Sequence, residues 1–85
     1  MKIQIDLLPK HYDQMLSHIT QESSLYSVLK NGVIVYEPED STQRKIIEIV
    51  CEDVDAITLL ALAESDCPEA VASIEKAIAS AQKSN

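Results

Sequence analysis

Eighty-five residues leave room for a single hydrophobic core, so the chain is expected to be one domain over residues 1–85, fraying at 83–85. An apolar share of 46% with one glycine and three prolines excludes a disordered chain, and the lack of Phe and Trp makes the core aliphatic. Of a net charge of −7, residues 37–69 carry −8, ten acids facing only Arg44 and Lys45, which speaks against binding to nucleic acid or to an anionic membrane.

Residues 2–7, K-I-Q-I-D-L, alternate strictly, with Ile3, Ile5 and Leu7 on one face, as a half-buried strand requires. Pro9 fits the first turn of a helix. Leu8, Tyr12, Met15, Leu16 and Ile19 continue at helical spacing, predicting a helix over about 9–22. The stretch S-S-L-Y-S-V-L-K-N-G-V-I-V-Y-E supports two readings. Asn31-Gly32 suits the tight turn of a hairpin, whereas Lys30 and Gly32 also suit the end of a helix. The hairpin is preferred, because Ser23-Ser24 is a poor helix interior and β-branched residues follow. Val33–Glu37 reads as a strand in both cases.

Residues 38–43 are polar and connect. Lys45–Cys51 is β-branched and short, a strand with Ile47, Ile49 and Cys51 on one face. The following E-D-V-D raises the question whether Cys51 faces an acidic reactive pocket. Helix initiation explains the acids: Asp53 is placed to cap a helix from 54 to about 65, and Glu52, Asp53 and Asp55 favour its positive end. Cys51 then behaves as a small buried hydrophobe. Asp66-Cys67-Pro68-Glu69 restarts helix with Asp66 as cap, and Ala70, Val71, Ile74, Ala77, Ile78 and Ala81 form a stripe to about 82.

Chemistry-bearing patterns are few. His11 and His18 are seven apart, two turns and too far for one ion; His18 is spaced to pair with Glu22. Cys51 and Cys67 belong to no C-x-x-C pair, which reads as free thiols in a reducing cytosol. Cys67 begins a helix, where a thiol is more reactive, although Asp66 and Glu69 oppose ionisation. No G-x-S-x-G occurs, one glycine cannot make a phosphate loop, and Asp40-Ser41-Thr42 lacks the Asp-Ser-Leu of an acyl carrier.

The expectation is therefore a two-layer α+β domain in the order β-α-(β)-β-β-α-α, its small mixed or antiparallel sheet carrying helices largely on one face. Neither catalytic residues, a metal nor a cofactor is expected. The function expected is that of a small acidic cytoplasmic interaction or regulatory module, in one form an antitoxin-like neutralising partner of a basic protein. The alternatives are a small-ligand sensor with its site at a dimer interface, and a thiol enzyme or redox protein using Cys67. Glu37, Glu39, Asp40, Glu52 and Asp55 form the expected acidic partner surface, which otherwise serves only solubility. A homodimer is expected through Leu62, Leu59, Ile46 and Val50, because the 54–65 helix carries more apolar surface than one small core absorbs. No segment resembles a signal peptide or is apolar for long enough to span a bilayer.

Overall fold

The computed structural model describes residues 1–40 and 42–83. Its elements are β1 (Lys2–Leu7), α1 (Pro9–Ser17), α2 (Ser24–Lys30), β2 (Val33–Tyr36), β3 (Lys45–Val50), α3 (Asp53–Asp66), a 3-10 turn at Pro68–Ala70 and α4 (Val71–Lys83). The three strands form one antiparallel sheet in the order β1-β3-β2. This is the small α+β domain expected, with a helix where the optional strand stood. The expected fraying at 84–85 lies outside the described residues, and Lys83 still belongs to α4.

β1 pairs with β3 from Lys2↔Val50 to Leu7↔Lys45, so Ile3, Ile5 and Leu7 lie beside Ile47 and Ile49 on one face. All five are 1% exposed, whereas Lys2, Gln4, Asp6 and Val50 on the other face are exposed. Period-2 alternation has thus decided which face the helices cover. The main-chain N–H of Cys51 donates to the carbonyl of Met1 at 2.8 Å and extends the ladder by one pair. β2 joins the free side of β3 through Val33↔Glu48, Ile34↔Ile47 and Tyr36↔Ile46; Val35 is the extra residue of a bulge.

The preferred hairpin over 24–36 is overturned. Ser23 does not interrupt a helix but caps one, its Oγ accepting from the N–H of Leu25 at 3.1 Å. Leu25 and Leu29, four apart, are both buried. Gly32 adopts no positive φ. Its value is space: a Cβ there would stand 2.6 Å from Ile47 Cγ2 and 2.9 Å from Ile49 Cγ2. α1 correspondingly ends at Ser17 and not near 22, so His18 and Glu22 do not share a helix face. The Tyr12 hydroxyl donates to the Leu29 carbonyl at 2.7 Å and ties α1 to α2. Lys45 begins β3 on the buried face, its ammonium 4.4 Å from the Tyr12 ring centroid.

α4 packs on β1, α2 on β3, and α3 on α1, α2 and α4. Helical neighbours on several sides account for the nearly all-round apolar character of α3. Glu52, not Asp53, is its N-cap, with the Asp55 carboxylate accepting from the Glu52 N–H at 3.4 Å. At the other end Asp66 caps nothing: α3 runs through it, Cys67 N–H returns to the Ala63 carbonyl at 2.9 Å, and Pro68 opens the 3-10 turn.

Candidate functional site

β2 is the most exposed element. Val33, Ile34, Val35 and Tyr36 are 64%, 46%, 51% and 50% exposed, so the helices leave both faces of this strand open. Its far side pairs with no strand among the described residues. Val33 and Tyr36 register with Glu48 and Ile46 on the uncovered face of the sheet, where Val50 is 68% exposed and Ile46 half-buried. An apolar strand at an open sheet edge is a template for another extended chain.

Of the expected acidic surface, Glu37, Glu39 and Asp40 are exposed directly after β2. Asp40 also holds its own loop, its Oδ1 accepting from Thr42 N–H at 2.9 Å, and that bond keeps its carboxyl below the usual range. Glu52 and Asp55 sit elsewhere, at the start of α3, engaged with each other's main chain. Glu48, on the uncovered face, accepts from Gln4 Nε2 at 2.9 Å and pairs with Lys2 at 3.4 Å. These contacts, led by the Gln4 bond, hold its carboxyl below the usual range.

The four residues expected at a dimer interface separate. Leu59 is fully buried and has no surface to offer. Leu62 is half-buried and packs against the core, and the exposed large apolar residues of α3 are Val54 and Ile57. Ile46 and Val50 keep outward positions on the sheet.

Both cysteines are free and buried, Cys51 at 6% exposure and Cys67 at 0%. Burial pushes the Cys51 thiol up, with Asp55 and Asp53 adding to the rise and the terminal ammonium opposing it. Cys51 is thus a core side chain at a strand end. Cys67, expected at a helix start, is instead folded inward at the 3-10 turn, and burial, followed by the Glu69 carboxylate, pushes its thiol up against the opposing hydrogen bond from Ala70. A neutral, shielded thiol is the opposite of an activated one.

Cys67 nonetheless has company that sequence spacing concealed. A ring nitrogen of His11 on α1, the Cys67 Sγ and a carboxylate oxygen of Glu69 lie within 4.8 Å of one another. The pairing considered on α1, His11 with His18, is replaced by one between segments 56 residues apart. One helical turn beyond His11, Gln14 Nε2 donates to the Asp66 carbonyl, which keys α1 to the residue preceding Cys67. Only the fold reveals this grouping; the C-x-E spacing alone carries no signal.

A groove of about 640 Å³ runs between β1 and α4. Lys2, Arg44 and Lys76 line it beside Asp6 and Glu69. Arg44 Nη1 donates to the Asp6 carbonyl at 3.2 Å and to Ser73 Oγ at 3.0 Å, bracing β1 against α4. No helix among the described residues is long and apolar enough to cross a membrane. No family model, curated protein or solved structure matches the chain.

Proposed function

We propose that this chain is a small protein-interaction module that accepts an extended, basic segment of a partner as a further strand along β2, neutralising a basic protein as antitoxins do. The observation that supports it is β2 itself: four consecutive apolar residues, all exposed, on a sheet edge that pairs with no strand among the described residues. Main-chain hydrogen bonds supply affinity in such strand addition, and side chains alternating along the edge supply selectivity. Charge favours a basic segment, because Glu37, Glu39 and Asp40 follow the strand directly in a chain of net charge −7. A strand-forming Val/Lys peptide should bind and move the backbone NMR resonances of 33–37, while a Val/Glu peptide of equal length should not. Val35→Lys should abolish the effect, since a lysine on an edge strand repels a basic chain. Equal binding of the two peptides, or shifts centred away from β2, refutes the reading.

The groove between β1 and α4 favours a second reading, a sensor of a small anionic ligand. Three of the seven Lys and Arg residues of an acidic protein meet there. A thermal-shift screen of small phosphates and carboxylates, repeated with Lys76→Glu, tests it; stabilisation that ignores Lys76→Glu removes the groove from consideration. The expected homodimer has its best surface on the uncovered sheet face, at Ile46 and Val50 with Val33 and Tyr36.

A further inference from the structure

We propose that His11, Cys67 and Glu69 form a binding site for one zinc ion, with a fourth position left to water. Imidazole nitrogen, thiolate sulfur and carboxylate oxygen are the three donor types that zinc takes, and three protein donors with one open position make a recognised zinc arrangement. Bonds of about 2.0–2.3 Å at the tetrahedral angle place donors roughly 3.3–3.8 Å apart. The three donor atoms here, all within 4.8 Å of one another, need close by no more than about 1.5 Å, which rotation of the exposed Glu69 side chain and of the half-buried His11 ring supplies.

The site is built from both sides. Cys67 is fixed by the end of α3 and the 3-10 turn, its N–H bonded to Ala63 and its carbonyl accepting from Ala70 N–H at 3.0 Å. His11 is half-buried on α1, and the Gln14–Asp66 hydrogen bond holds the two segments in register beside it. Zinc enters from the His11–Glu69 side, since Glu69 is exposed while Cys67 is not. As the Zn–S bond forms, the S–H bond breaks and its proton leaves to solvent. The ion's two positive charges are then balanced by the Cys67 thiolate and the Glu69 carboxylate. Two other potential ligands are badly placed on chain geometry: His18 is exposed at the far end of α1, and Cys51 directly follows β3.

The test uses the full chain, reduced and freed of metal with a chelator. Zinc titrated by calorimetry in two buffers of different ionisation enthalpy should bind one ion per chain, releasing about one proton at neutral pH. Cobalt(II) should show tetrahedral ligand-field bands and a thiolate-to-metal charge-transfer band. His11→Gln and Glu69→Gln should each weaken zinc by at least about tenfold, the cost that loss of even an outer supporting group carries. His18→Gln and Cys51→Ala should leave affinity unchanged. Glu69 is exposed, so Glu69→Gln keeps the fold even if His11→Gln does not, and circular dichroism checks both. A cobalt spectrum without the thiolate band overturns the assignment, as does zinc affinity that survives Glu69→Gln or follows His18.

Discussion

Single residues in this protein are constrained most tightly where the helices meet the sheet. Gly32 is such a point, since an added Cβ would press on the buried Ile47 and Ile49 methyls at 2.6 and 2.9 Å. Gly32→Ala should therefore cost about 1–3 kcal/mol, the usual range for overfilling a packed interior, read from urea unfolding. The two thiols make a second expectation. Cys51 and Cys67 are both buried, so both should alkylate slowly in the native protein and quickly in denaturant. Cys51 also carries a pH dependence of definite sign. Its folded pKa is raised above the ordinary 9.0, so the folded state holds the thiol proton more tightly than the unfolded chain does. That stabilisation is complete below pH 9 and is lost as pH rises through the folded value. Stability should fall less steeply above pH 9 in Cys51→Ala than in the native protein; identical slopes would show that Cys51 does not contribute.

At the scale of elements, α2 and β2 are the informative pair, because they occupy the stretch with two plausible conformations. α2 has seven residues, a length that propensity alone does not sustain in water. It holds through the Ser23 cap, through Leu25 and Leu29 in the core, and through its packing on β3. Ser23→Ala should cost about 0.5–2 kcal/mol, with hydrogen exchange accelerating first across 24–30. A loss spread evenly over the whole chain would mean that α2 is not an independent unit of opening. β2 has the opposite character. Among the described residues β3 is the only strand it pairs with, and it is bulged at Val35, so its outer edge is open to another chain.

At the scale of the molecule, the helices cover one face of a three-stranded sheet and leave the other open. Ile46 and Val50 lie on that open face, so a second copy is expected to seat there. Light scattering should show a dimer for the native protein and a monomer for Val50→Lys at unchanged helicity. Leu62→Lys should instead lower stability, because Leu62 packs against the core. A native monomer removes the homodimer. For a basic partner, raising salt from roughly 50 to 500 mM should slow association far more than dissociation, because screening acts on the approach. An association rate indifferent to salt would leave the acids a solubilising role only.

Local periodicity made part of this fold legible along the chain. Strict alternation over 2–7 and the short β-branched run 45–51 placed Ile3, Ile5, Leu7, Ile47, Ile49 and Cys51 on the buried face, and the 3.6-residue stripes located three helices to within a few residues, except at the far end of α1. The sequence also placed the acids of E-D-V-D at a helix start, though the cap proved to be Glu52. Tertiary structure alone decided the rest. Residues 24–30 satisfy a strand and a helix about equally in isolation, and the burial of Leu25 and Leu29, with the Ser23 cap, selects the helix. Whether Leu59 or Leu62 faces solvent depends on which neighbours α3 finds, since a helix apolar all round carries no signal of its orientation. The approach of His11 to Cys67 and Glu69 spans more than fifty residues. No spacing along the chain encodes such a meeting, because it is the packing of α1 against the end of α3 that brings the three groups together.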